Sequence, residues 1–508
     1  MERRQLLKTL AAGTALTAVP LKGFAGQAIT SSKDSLAVTK QLFDKALSSA
    51  PELIGFKGAT KPFNKTALTI EGNIPKDIQG CFYRNGAARH ERAQQRYNHL
   101  FEGDGMIQAF HFEEGNIYHQ GQFVQTSKFK KEEQAGKFLY SGPDSQIQGA
   151  LPVSSPDDIN TANTNIISVD GKLWALWEAG SPVALSADTL QTHGVVNLGE
   201  NSRFGNKLKG LAFSAHPKID PKGDIWNFGF SPSGHIVLFH LNAKGVTQNV
   251  NMIKTNYKGA MLHDFLITHR HILIILPSLV LDRTKSGFFG AINYDANLPM
   301  DVLVIDKDTL TLKRQYKVAP GFAFHYGNAW EEPNGTIHFD ACLYRDANAL
   351  HFMKNIMQGD QMAGVAPAKT TLYSLFPDGK YKEEQLEGSA DFPRIHPSKV
   401  GIRNQYLYST GSTEVEFWFD SVSRTNMGSG KVDKYVYGKD FVVEEHIPIA
   451  TDENEDNGYL MGTALHIPTK RTCLNIFHAN DMSQGPICRA WLPYHIPLGF
   501  HGNFVAKS

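Results

Sequence analysis

Cysteine is scarce in this chain: Cys81, Cys342, Cys473 and Cys488 are the only four in 508 residues. They are too few and too scattered for a disulfide framework, and no CxxC pair occurs, which excludes zinc-ribbon and thioredoxin-like chemistry. An excess of either charge is lacking too, since 51 Lys+Arg face 50 Asp+Glu for a formal net charge of +1. With no long basic run either, nucleic acid is excluded as the main partner. No uncharged segment reaches the about 20 residues that a membrane-spanning helix requires. Crisp sequence repeats are missing, as are Pro- or Ser-rich linkers after about residue 60, which points to one domain. What the chain has in quantity is glycine (45), phenylalanine (31) and histidine (20).

The first residues read as an address. Glu2-Arg3-Arg4-Gln5-Leu6-Leu7-Lys8 precedes a run of small and apolar residues without charge over 9–19. At about a dozen residues that run is too short to span a bilayer. A positive start, a short apolar stretch and a small-residue exit, at Gly23-Phe24-Ala25 or nearer Ala28, fit a secretory leader. The paired arginines resemble a twin-arginine signal, which implies bacterial export of an already folded protein to the periplasm. The expected organisation is a leader over 1–25, an N-terminal extension over 26–60 and one domain over 61–508. Loss of 1–25 removes four basic groups and one acid, so the net charge passes from +1 to −2.

The body reads as short strands and hairpins from end to end. Leu173-Trp174-Ala175-Leu176-Trp177-Glu178 follows the turn Asp170-Gly171, and the turn Ser231-Pro232-Ser233-Gly234 joins apolar runs at 225–230 and 236–241. Near the end, Pro468-Thr469-Lys470-Arg471 joins 459–467 to 472–477 in the same way. The fold class is all-β, and radial repetition accommodates so many strands with few exposed edges. Seven four-stranded blades give about 70 residues each, above the roughly 40–50 of minimal propeller repeats, so long loops and helical patches such as 347–358 are inserted.

Four histidines stand apart by their neighbours. They are His216 in Phe213-Ser214-Ala215-His216-Pro217-Lys218, His263 in Met261-Leu262-His263-Asp264-Phe265, His325 in Phe324-His325-Tyr326-Gly327-Asn328, and His501 in Phe500-His501-Gly502-Asn503-Phe504. Local zinc motifs place two ligands within about five residues of each other, and these histidines are dispersed along the chain. Dispersed ligands suit a propeller, where the inner strand of each blade lines one axis. Four neutral imidazoles favour iron, copper or zinc over magnesium or calcium. A single histidine among aromatics is more often a hydrogen-bonded core residue than a ligand, so the surrounding words decide the matter.

Those words resemble the carotenoid cleavage oxygenase family. Gly80-Cys81-Phe82-Tyr83-Arg84-Asn85-Gly86 and His99-Leu100-Phe101-Glu102-Gly103-Asp104-Gly105-Met106 open the match. The four histidine words, Asp391-Phe392-Pro393-Arg394-Ile395 and Glu455-Asp456-Asn457-Gly458-Tyr459 follow in the family's order. The resemblance implies a seven-bladed β-propeller, with loop and helical insertions capping one face. It implies Fe(II) held by His216, His263, His325 and His501, and O₂ used to split a conjugated carbon–carbon double bond into two carbonyl products. It also implies three acids orienting the histidines from outside. Glu178 fills one of these positions, and Glu445, with Glu444 adjacent, fills another. Asp391 stands where the family has Glu, one methylene shorter, so its carboxylate retracts by about 1.5 Å unless the backbone moves.

Around that centre the substrate is expected to be a lipophilic or aromatic conjugated molecule, of carotenoid, apocarotenoid, stilbene or phenylpropenoid type. The run 272–280 with Phe288-Phe289 reads either as an apolar lip making peripheral membrane contact or, more commonly, as a buried strand. Lys128 beside Phe129 reads either as a receiver of a phenolate or, more commonly, as a solvated lysine. Asp104, among glycines, reads as a structural turn residue. Two alternatives to cleavage stay open at this stage: alkene isomerisation on the same centre, and a periplasmic propeller that binds without catalysis.

Overall fold

The computed structural model describes residues 35–257, 261–361, 365–415 and 418–507. The leader expected over 1–25 lies outside the described residues. Seven sheets of four or five strands are arranged around one axis as a β-propeller.

Blade 1 carries Phe63–Ala67, Gly80–Arg89, Asp104–Glu113 and Asn116–Phe123, and its innermost strand is the C-terminal His501–Ala506. Blades 2 to 6 are each built from consecutive chain, with inner strands Asn165–Val169, Lys218–Ile219, Leu266–Ile267, Phe322–Glu331 and Asp391–Arg394. Blade 7 starts from Phe441–Ile449, and its outermost strand is the N-terminal Thr69–Gly72. The ring is therefore closed twice, by each end of the chain completing the blade at the other end.

Local sequence dictates the hairpins. Asp170 and Gly171 both take positive φ (48° and 74°), so this two-residue turn matches the right-handed twist of the strands it joins. Antiparallel strands then alternate their side chains between the two faces of each sheet, and both faces meet a neighbouring blade. Among the described residues, apolar clusters fill six of the seven seams between blades. The seam between blades 5 and 6 differs. There Ser409 and Ser423 bond each other at 3.0 Å, and a cavity of about 610 Å³ opens among Asn328, Asp340, Ser374, Asn404, Asn426 and Glu455. Burial pushes the Asp340 carboxyl up to about 7.

One end of the propeller is capped. Helix Ser35–Leu47 packs Leu36 and Phe43 with Leu53, Phe56, Phe138 and Phe352. Helix Asn348–Asn355 falls within the segment 347–358 read as helical, and seats Leu350 in the adjoining cluster with Phe322 and Phe324. No described helix is long and apolar enough to cross a membrane. The strand His271–Leu276 is buried, as its more common reading expects, whereas Val280 beyond it is 37% exposed.

Two expectations are corrected here. Lys128 is not solvated: helix Ser127–Ala135 turns Lys128, Phe129 and Glu132 onto the propeller. Lys128 Nζ donates to Asp104 at 2.7 Å, Tyr97 at 2.7 Å and Glu132 at 3.1 Å, so all three of its donors are engaged. Asp104 is no turn residue either. It begins a strand, is fully buried, and also accepts from Arg92 at 2.8 Å, so the acid set between Gly103 and Gly105 is the hub of an interior ion cluster.

The two kinds of seam predict different costs for the same truncation. Leu273, in the apolar seam of blades 4 and 5, and Leu407, in the polar seam, are equally inaccessible. Leu273→Ala is expected in the upper part of the about 2–5 kcal/mol range for such changes, and Leu407→Ala in the lower part. Thermal and denaturant midpoints measure both, and equal costs would contradict the contrast drawn between the seams.

Candidate metal centre

Among the described residues, each blade sends an imidazole or a carboxylate toward the axis. Blades 3, 4, 5 and 1 send His216, His263, His325 and His501; blades 2, 6 and 7 send Glu178, Asp391 and Glu445. His216 and His263 sit in the short segments leading into their inner strands, where Pro217 holds His216 extended. The other two histidines lie within inner strands, His325 inside Phe322–Glu331 and His501 at the start of His501–Ala506.

Bulges do the local aiming. Opposite pairs run Ala323↔Leu343 then Tyr326↔Ala341, so three steps in one strand face two in the other around His325. The same irregularity falls between Asp391 and Arg394, and between Val443 and His446. A bulge re-aims the residue it carries and interrupts the two-residue alternation. At the third bulge it lets the adjacent Glu444 and Glu445 both be buried in different environments. Gly462 stands opposite, where a Cβ would lie 2.4 Å from the ring of His446.

The four histidines are buried, and one ring nitrogen from each lies within 4.8 Å of all the others. Ring centroids of His216 and His263 are 4.3 Å apart, and those of His325 and His501 are 4.9 Å apart. His325 donates from Nδ1 to Asp391 Oδ1 at 2.7 Å, and His501 from Nδ1 to Glu445 Oε1 at 3.0 Å. These bonds leave each Nε2 as a lone-pair acceptor. His325 Nε2 is buried and has no partner among the described residues, an unfavourable state that a cation at the centre would relieve. Glu178 Oε1 lies 3.1 Å from His263 Nδ1 and 3.8 Å from His216 Nε2, an ion-pair contact without hydrogen-bond alignment. His216 has no acid nearer than Glu178 at 3.8 Å; Asp264 is 4.0 Å away and engaged by Lys218.

Glu445 rather than Glu444 faces a histidine. Glu444 instead binds Arg84 at 2.9 Å, Thr463 at 2.6 Å and the Gly499 N–H at 2.6 Å, tying blade 7 to blade 1. Asp391 reaches its histidine directly, from a bulge in which the next residue, Phe392, takes the left-handed region at φ 50°.

Charge states follow from these surroundings. Burial lowers His216 well below the ordinary imidazole value, and His263, His501 and His325 lower it further. Burial brings His501 down to about 4 against the opposing pull of Glu445. For His263 burial is outweighed by Glu178, and the net direction is upward. Burial also opposes ionisation of Glu445, yet Arg394, His501 and Arg84 hold it at about 2. Asp391 is likewise below its ordinary value, since His325 and Tyr344 overcome its burial. Imidazoles backed by ionised carboxylates are the donor set of a divalent transition metal, which binds the rings in their neutral form.

Aromatic rings wall the centre. Phe324 stands edge-on to His263 at 5.5 Å and leads through Phe101 to Phe289 and Phe500. Phe392 packs on His325 at 4.7 Å and on His501 at 5.3 Å. Tyr344, which donates to Asp391 Oδ2 at 2.7 Å, escaped the sequence reading, because 47 residues separate the pair and no local motif links them.

Known proteins resemble this chain along most of its length. The family model described as retinal pigment epithelial membrane protein matches residues 56–506. The apocarotenoid-15,15′-oxygenase of Synechocystis sp. is 28% identical, covering 89% of this chain and 96% of its own. The lignostilbene-α,β-dioxygenase isozyme III of Sphingomonas paucimobilis is 31% identical, covering 90% and 98%. Among solved structures, cobalt-substituted Synechocystis apocarotenoid oxygenase superposes with a TM-score of 0.79 at 25% identity, covering 90% of this chain and 99% of that one.

The outer acids predict graded effects on metal binding. Glu445→Gln, which removes a fully buried charge from His501, is expected to weaken divalent-metal affinity about 10–100-fold. Glu178→Gln, at a partly exposed side chain without an aligned bond, is expected to cost less. Competition against a chelator of known affinity measures both, and the reverse order would contradict the geometry above.

Proposed function

The chain belongs to the retinal pigment epithelial membrane protein family, and from that premise we propose how its centre works. It is an Fe(II)-dependent dioxygenase of the carotenoid cleavage type, which uses O₂ to cleave a conjugated carbon–carbon double bond into two carbonyl products. The observation that carries the assignment of residues is the convergence of His216, His263, His325 and His501 on one point of the axis. These four hold the iron. When bound, Fe(II) supplies the electrons and open positions that activation of O₂ requires.

The chain's own groups do the rest. Asp391 and Glu445 keep the protons of His325 and His501 on Nδ1, so that the Nε2 lone pairs point inward. Four neutral donors leave the ion its full charge, and the acids outside them offset it without occupying the site. Phe324, Phe101 and Phe392 exclude water and present flat apolar surfaces to a conjugated chain. Both oxygen atoms of O₂ are consumed, one in each carbonyl, and no outside reductant is needed.

The substrate we propose is a lipophilic or aromatic conjugated alkene, as the apocarotenoid and lignostilbene names of the two relatives support. It enters past Phe288 and Phe289, whose half-buried rings join the aromatic wall, and the exposed Val280 supports peripheral contact with a membrane surface. The paired Arg3-Arg4 and the apolar run behind them support export of the folded protein to the periplasm.

Anaerobically purified protein is expected to carry near-stoichiometric iron by elemental analysis, and His325→Ala to lose it. With ¹⁸O₂, each of the two products is expected to carry one labelled oxygen. A parent that binds no iron after Fe(II) reconstitution, or label confined to one product, overturns this reading. Replacing Arg3 and Arg4 by lysines is expected to leave the protein in the cytoplasm, as fractionation would show; unchanged export would rule out the twin-arginine route.

A further inference from the structure

The shortest acid of the centre is also the most completely held. Asp391 Oδ1 accepts from His325 Nδ1 at 2.7 Å and from the Phe392 N–H at 2.8 Å. Its Oδ2 accepts from the Tyr344 hydroxyl at 2.7 Å, and its backbone carbonyl accepts from Thr410 Oγ1 at 3.1 Å. Tyr344 comes from the second strand of blade 5, the neighbour of the strand that carries His325. Its ring stacks on Phe322 at 5.7 Å and meets Phe324 edge-on at 6.0 Å. One phenol thus touches the acid behind His325 and the aromatic wall beside His263.

A hydroxyl donating to a carboxylate makes a short, charge-assisted bond that fixes the rotation of the carboxylate plane. Without it, Oδ2 in this buried place would lack a donor, and the carboxylate would be free to turn Oδ1 away from His325. The spacing is also restrictive. Tyr344 and His325 contact the two oxygens at 2.7 Å each, so one more methylene at 391, about 1.5 Å of reach, drives the carboxylate into one of them.

We infer that Tyr344 is a positioning residue of the metal centre, matched to Asp391: its hydroxyl fills the reach that the short side chain leaves and holds that carboxylate square to His325. This rests on the iron reading above and adds to it a residue that acts through two others, from tyrosine to aspartate to histidine.

The test uses the full chain and four proteins: the parent, Tyr344→Phe, Asp391→Glu, and the two substitutions together. Fe(II) affinity is measured by chelator competition, the electron paramagnetic resonance spectrum of the ferrous nitrosyl complex reports ligand symmetry, and thermal midpoints establish that each variant is folded. Tyr344→Phe, which keeps the ring, is expected to bind Fe(II) about tenfold more weakly and to change the rhombicity of the spectrum. Asp391→Glu alone is expected to lose at least as much. The double variant is expected to recover to within about threefold of the parent, because removing the hydroxyl makes room for the longer acid. Parental affinity and spectrum in Tyr344→Phe would overturn the inference, as would a folded double variant no better than Asp391→Glu. Either result, with a parent that binds iron, leaves the oxygenase reading standing; a parent that binds none overturns both.

Discussion

The contact on which the rest depends is the pairing of His501–Ala506 with Gly80–Arg89, which closes the ring. In that register Asn85 faces His501 and Arg84 faces Gly502. Arg84 then reaches across to blade 7, where it binds the Glu444 carboxylate at 2.9 Å and the Glu445 carbonyl at 3.1 Å. The last strand of the chain thus delivers a histidine to the axis and, through its partner strand, holds the acid that orients it. An open ring would have no axis, and the other three histidines would have nothing to converge on. The second closure, Thr69–Gly72 on Cys488–Trp491, secures the same junction from the outer rim.

Electrostatics at the centre works because ionised acids and neutral imidazoles are separated by one shell. Carboxylates in direct contact with the ion would neutralise it, whereas one bond removed they orient the rings and balance the charge from a distance. Each buried acid must find donors for both oxygens, and each does so differently. Glu445 uses the Gly502 N–H for its second oxygen, while Asp391 uses the Tyr344 hydroxyl. Glu178 has neither, and its side chain is correspondingly the most exposed of the three.

Polarity elsewhere is segregated in the same way. The Arg92–Asp104–Lys128–Glu132 cluster pairs its charges internally and lies under the cap, which frees the wall around the metal to be aromatic. The blade 5–6 seam, with serines and asparagines where the other seams have leucine and isoleucine, takes Asp340 and Tyr344 from the face of strand Ile337–Tyr344 turned away from the blade 4–5 cluster. Dispersion and desolvation hold six seams, and hydrogen bonds hold the seventh.

The sequence by itself carried the class of fold and the four histidines that converge on the axis. Turn dipeptides such as Asp170-Gly171 set hairpins through φ alone, and the words around His216, His263, His325 and His501 are local and legible. Three things were decided only in three dimensions. Alternation could not place His325, Asp391 or the choice between Glu444 and Glu445, because each sits in a bulge, and a bulge depends on the strand opposite. Lys128 and Asp104 looked like solvent and turn residues because their partners lie up to 31 residues away and are brought in by a helix docking. Tyr344 carried no signal at all, since a hydrogen bond across 47 residues exists only once two neighbouring blades have packed. Local rules are written in φ, ψ and side-chain chemistry; the site is written in distances between blades, and those follow from closing the ring.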